Sequence, residues 1–158
     1  MSSKRTSSLN SEKNTSPCSG ELTLLKDVND AAFSSGELGD GFAVKFDGTN
    51  IYAPVGGVIK ACFPGGHAIG IQTDNTEVLV HIGIDTVELH GECYEACVKQ
   101  DDIVRQGDLL VKVKASDLID KGYDPTTLVL FCSREKVELL SKLQHIEEKE
   151  EVAEYKAK

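Results

Sequence analysis

Positive charge is scarce in this 158-residue chain: 17 Lys and Arg stand against 26 Asp and Glu, a formal net charge of -9. With no basic stripe, a general nucleic-acid surface is excluded. No apolar run approaches the ~20 residues that a membrane-spanning helix needs, so no integral membrane protein is expected. The opening Met1-Ser-Ser-Lys-Arg-Thr-Ser-Ser lacks the apolar segment of a secretory signal. The cysteines, at 18, 62, 93, 97 and 132, are odd in number and form no compact framework, which fits a reduced, cytoplasmic protein. Gly39 and Gly41 have neither a third glycine at the required spacing nor a following Lys-Ser/Thr. They read as turn residues and not as a phosphate cradle.

Histidine is scarce too, with four in the chain, and two of them bracket one segment. From His67 to Asp85, two runs rich in Ile, Val and Leu flank Thr73-Asp74-Asn75-Thr76. That is the pattern of a β-hairpin. A three-residue loop at 73–75 sets position 67 directly across from 81. A two-residue loop at 74–75 pairs 68 with 81 and leaves the histidines diagonal neighbours. Either register brings two imidazoles together. One can then act as nucleophile while the other fixes its tautomer or holds the charge it acquires. Two histidines are also half of a zinc site, which normally takes three or four protein ligands. Asp85, four residues past His81, reads as a turn residue able to lend negative charge.

Short strands with turn glycines every ten residues or so argue an all-β sandwich or barrel, not alternating βα units. Residues 1–16 have almost nothing to bury and are expected to be a disordered tail. Residues 17–143 form the expected domain, and 144–158 a charged tail of frayed helix with His145 at its surface. Inside the domain, Phe42–Phe46, Ile51–Ala53, Leu109–Val113 and Thr126–Phe131 read as strands. Thr86–His90 reads as a strand edge closed by Gly91, and Glu92–Val98 as either a strand or a helical turn. Ala115–Gly122 reads as a helix closed by glycine, and Ser133 as the N-cap of a second helix. Turn-then-strand units at Pro17 and Pro54, about 37 residues apart, hint at an internal repeat.

Several of these phrases, in order, carry a resemblance. Pro17-Cys-Ser-Gly20, Asp30-Ala-Ala-Phe33, Gly39-Asp-Gly41-Phe-Ala-Val, Ala53-Pro-Val-Gly-Gly57, His67-Ala-Ile, Val80-His-Ile-Gly-Ile-Asp-Thr-Val-Glu-Leu89 and Gly107-Asp-Leu-Leu110 run from about residue 17 to 142. Together they closely resemble the glucose-family enzyme IIA of the bacterial sugar phosphotransferase system. The resemblance implies an antiparallel β-sandwich, or barrel-sandwich, with a duplicated hybrid motif. It implies a phosphoprotein transferase of sugar transport that carries a phosphohistidine. On this mapping His81 takes the phosphoryl group on Nε2 from the phosphocarrier HPr and passes it to a cysteine on the IIB domain of a sugar permease. His67 matches the histidine that hydrogen-bonds the phosphoryl group, and Asp30 and Asp85 match the acidic pair beside it. Phe33, Leu38, Ile69, Leu79 and Val87 match an apolar rim where both partners dock. No cofactor is implied for the transfer. An intermolecular zinc ion, held by His67, His81 and a partner's carboxylate, is known in the family.

The chain departs from the family pattern in places. The segment between the histidines is one residue shorter than usual. Gly65 stands where the family usually has threonine, two residues before the first histidine, and His90 replaces a polar or basic residue before Gly91. Biotinyl and lipoyl carriers share a phrase like Val104 to Leu109, but they need a lysine at the tip of a hairpin, and this hairpin has none. A zinc metallopeptidase on a related β fold needs a His-x-His pair, which is absent. The remaining alternative is a regulatory protein that keeps the fold and transfers phosphate weakly or not at all.

Overall fold

The computed structural model describes residues 12–74, 76–132 and 136–155. Its architecture is all-β and antiparallel, in three sheets. The largest sheet contains β2 (Gly20–Leu24), β3 (Asp40–Phe46), β5 (Gly57–Cys62), β6 (Ala68–Gln72) and β7 (Glu77–Ile82). With β9 (Ile103–Val104), β11 (Thr127–Phe131) and β13 (His145–Ile146), they lie in the order β13-β2-β3-β11-β7-β6-β5-β9. A second sheet orders β4 (Thr49–Tyr52), β10 (Leu109–Lys114) and β8 (Glu95–Ala96) as β4-β10-β8. A third places β14 (Glu151–Tyr155) between β1 (Glu12–Thr15) and β12 (Val137–Leu139). Two short helices, α1 (Ala31–Ser34) and α2 (Ala115–Asp120), complete it. Among the described residues no helix is long and apolar enough to cross a membrane.

Strand alternation sorts the core into two parts. Phe42, Val44, Val78, Val80, Ile82, Val129 and Phe131 point into the main core between the sheets. Their alternates, Ala43, Leu128 and Leu130, face the other way and pack with Leu25, Val28, Phe33 and Ile84 in a smaller cluster. His81 alternates with Val80 and Ile82, so it shares the face of this smaller cluster. Its strand neighbours are Leu128 on β11 and Ala68 on β6. The hairpin thus takes the register that pairs 68 with 81. The Thr73 amide donates to the Thr76 carbonyl at 2.8 Å to close the turn.

Four expectations need correction. Residues 12–16, assigned to a disordered tail, contain β1, whose Asn14 is fully buried; residues 1–11 lie outside the described set. The expected frayed helix after 144 is instead β13 and β14, with Ile146, Val152 and Tyr155 buried. Five consecutive charged residues, Glu147 to Glu151, give no strand alternation there, and the partners β2, β1 and β12 that supply the ladder are far off in sequence. A helix from Ser133 is not formed, since Val137–Leu139 is strand; Ser133 itself lies outside the described residues. Thr86–Leu89 is a 3-10 turn and not a strand edge. It is bounded by left-handed residues Asp85 and His90 and tied back by the Thr86 hydroxyl, which donates to the Ile82 carbonyl at 2.6 Å.

Candidate functional site

β7 carries His81 to the sheet margin, where the chain turns sharply at Gly83 with φ +86°. A side chain at Gly83 would run into Thr86, so the turn depends on glycine there. The tight turn brings the Gly83 carbonyl back over the His81 ring, 2.9 Å from Nδ1. A carbonyl only accepts, so Nδ1 carries the proton and Nε2 of the neutral ring keeps its lone pair. Three more bonds lock this turn. The Tyr94 hydroxyl donates to the Ile82 carbonyl at 2.8 Å, and the Gly83 and Ile84 amides donate to the Thr126 and Asp124 carbonyls. Burial pushes the Tyr94 phenol up to about 12, so it stays a donor.

His67 sits just before β6, and its carbonyl accepts from the Ile82 amide at 2.8 Å. The two histidine rings meet edge to face, 5.5 Å between centroids. Phe33 packs on the far side of His81 at 5.0 Å, and Phe63 on His67 at 5.8 Å. Burial pushes the His67 pKa below the usual imidazole value, partly offset by the nearby Pro64 backbone. His81 is lowered first by burial and then by the neighbouring His67; the Gly83 bond, Asp30 and Asp85 pull the other way. Both rings are therefore biased to the neutral form, and in His81 the Nδ1–H is committed to a backbone carbonyl.

The two aspartates flank the pair. Asp30 caps α1, accepting from the Ala32 amide at 2.9 Å. Asp85 is exposed in a left-handed conformation at φ 62°. The histidines open onto a depression of about 540 Å³ lined by Phe63, Pro64, Gly65, His67, His81, Val87 and His90. Among the described residues no group of three or more His, Cys, Asp or Glu is placed to hold a metal ion.

The expected apolar rim divides. Val87 and Leu38 are exposed, at 57% and 46%. Leu79 is half-buried against the smaller cluster. Ile69 is a correction: it pairs with Val80 and faces the main core, fully buried. Phe33 is another, 8% exposed, because the short helix α1 turns its ring down onto His81 and the smaller cluster. Nothing in the strand pattern singles out Phe63, 43% exposed, or His90 as part of the site. The Pro64-Gly65-Gly66 turn that precedes His67 is the one local signal that Phe63 would be folded back beside it.

The model of one protein family matches residues 12–137; its description is "phosphoenolpyruvate-dependent sugar phosphotransferase system, EIIA 1". The chain is 43% identical over 106 residues to the glucose-specific EIIA component of Mycoplasma capricolum, covering 66% of this chain and 69% of that protein. It is 41% identical over 121 residues to the beta-glucoside-specific EIIBCA component of Dickeya chrysanthemi, covering 76% of this chain. The match spans only 19% of that longer relative. Among solved structures, glucose permease IIA from Mycoplasma capricolum superposes with a TM-score of 0.84 at 35% identity, over 91% of this chain and 95% of that one.

Proposed function

The chain belongs to the EIIA 1 family of the phosphoenolpyruvate-dependent sugar phosphotransferase system, and we propose that within it His81 is the phosphorylated residue. The observation that carries this is the bond from His81 Nδ1 to the Gly83 carbonyl, which leaves Nε2 with a lone pair in the neutral ring. The donor is phospho-HPr and the acceptor a cysteine on the IIB domain of a glucose-family sugar permease. In the first step the Nε2 lone pair attacks phosphorus. The N–P bond forms as the donor's own bond to phosphorus breaks, and the donor keeps that electron pair. In the second step the cysteine thiolate attacks phosphorus and the electron pair returns to Nε2.

His67 supports both steps. Its neutral ring keeps one acceptor nitrogen, which turns donor once the ring takes up a proton, as the phosphoryl charge favours. Asp30 and Asp85 repel the phosphoryl oxygens, which makes the group readier to leave, and they offer charge to a basic partner. Leu38 and Val87, both exposed, are the apolar contacts for HPr and IIB, and Leu79 backs them from below. No cofactor enters the transfer. The paired imidazoles, that of His81 oriented by a carbonyl, also suit two of the four positions of a zinc ion that a partner's carboxylate would complete.

Incubation with phosphoenolpyruvate, enzyme I and HPr tests the reading. An acid-labile gain of one phosphoryl group per chain is expected, and its loss in folded His81→Ala. Undiminished labelling of that variant overturns the assignment. A wild-type chain that never gains the group is instead a regulatory protein on the same fold.

A further inference from the structure

A phosphoryl group on Nε2 of His81 carries roughly two negative charges and three acceptor oxygens into the depression beside it. Among the described residues no Lys or Arg lines that depression. The carboxylates that act on His81, Asp30 and Asp85, have the same sign as the incoming group. Imidazole N–H groups are therefore the side-chain donors within it. His81 has committed Nδ1 to Gly83, and His67, held neutral by burial, has one ring nitrogen that can only accept.

His90 differs from both. It lines the same depression, yet among the described residues nothing hydrogen-bonds its ring. A neutral imidazole has one N–H in either tautomer and an imidazolium has two, so an uncommitted ring offers a donor in every state. Its position is also fixed. The His90 amide donates to the Val87 carbonyl at 3.1 Å, and the following Gly91 lies directly against Gly65, backbone on backbone. A Cβ on Gly65 would stand 2.6 Å from the Gly91 Cα, so neither glycine can carry a side chain without parting the two turns. The turn bearing His90 is thereby docked on the turn that leads to His67.

We propose that His90 is a third imidazole of the site, which hydrogen-bonds an oxygen of the phosphoryl group on His81. It stabilises the phosphorylated state without taking the group itself. The proposal rests on the phosphocarrier reading above.

The test is the equilibrium of phosphoryl groups between HPr and this chain, for wild type, H90A and H90Q, with the ring 15N resonances of His90 followed in the wild type. H90A should move the equilibrium about tenfold toward phospho-HPr, the scale of one lost hydrogen bond to a charged group. H90Q keeps an N–H donor and should recover most of the loss, which a purely structural role would not allow. The His90 resonances should shift when His81 is phosphorylated. Alanine is strained at the left-handed φ of 53°, so the resonance measurement on the unmodified chain stands by itself. Resonances that do not move, or an H90A equilibrium equal to wild type, overturn the proposal and leave His81 phosphorylation intact. A wild-type chain that takes no phosphoryl group overturns both.

Discussion

His81 Nδ1 and the carbonyl of Gly83, two residues on, are joined by a 2.9 Å hydrogen bond that selects the ring tautomer. In the proposed transfer, Nε2 is thereby prepared as nucleophile by the backbone of its own turn, with no need for a separate general base.

From this follows a pH dependence. Burial and the adjacent His67 hold the His81 pKa below its ordinary 6.5. Phosphoryl acceptance should therefore stay level as pH falls through that value and decline only in more acid solution. A single-turnover pH profile checks it; a midpoint at or above 6.5 would mean that the ring is not held neutral.

The same shift bears on stability. The folded pKa lies below the unfolded one, so between them the unfolded chain binds more protons and stability rises with pH. The contribution is present above the unfolded value and is lost on acidification through the window below 6.5. His81→Gln should show a smaller stability difference between pH 5 and pH 8 than wild type in urea titrations. Identical pH dependence in the two proteins would contradict the shift.

His67→Gln should still accept from HPr, because the nucleophile is untouched. Transfer onward to IIB should slow, since glutamine cannot take up a proton as charge returns from the phosphoryl group. Removing such a donor outright costs ~2.7–4 kcal/mol, and a weaker one left in place should cost less. Equal single-turnover rates toward IIB for both proteins would uncouple His67 from the chemistry.

Phe33 and Val87 should behave oppositely. Phe33→Ala opens the smaller cluster and removes the ring stacked on His81, at a cost of ~3–5 kcal/mol if the site does not collapse. Val87→Ser, on an exposed position, should stay within about 0.5 kcal/mol of wild type while weakening HPr binding. Melting curves and binding isotherms on the two variants separate core from contact. A folded, stable F33A with weak binding would return Phe33 to the rim.

Deletion of 144–158 should unfold the domain. Ile146, Val152 and Tyr155 are each at most 1% exposed. At ~1.5–3 kcal/mol per buried large side chain, they represent a large share of a typical domain's stability. A truncated chain that melts with wild type would make the segment dispensable.

The hairpin was legible because Ile, Val and Leu alternate around a polar turn, and period two then fixes which residues share a face. What alternation could not reveal was which face of the sheet α1 covers. The rim position of Phe33 comes from the resemblance, whereas Asp30 caps a helix that buries the ring. Ile69 is placed on the rim by the same resemblance, against its position opposite Val80 in the hairpin. The end strands were illegible locally, since Glu-Val-Ala-Glu-Tyr reads equally well as helix until a distant strand supplies its ladder. His90 lies on a turn of left-handed residues with no periodic signal, and only the contact of Gly65 with Gly91 brings it to the site.

Glu12 pairs with Tyr155 across 143 residues, and β14 lies between β1 and β12. During synthesis β1 emerges before β14, which is its only strand partner among the described residues. Closing so long a loop is entropically costly and is rewarded only when the last strand docks. Until β14 docks, β1 is therefore an open edge available to another chain.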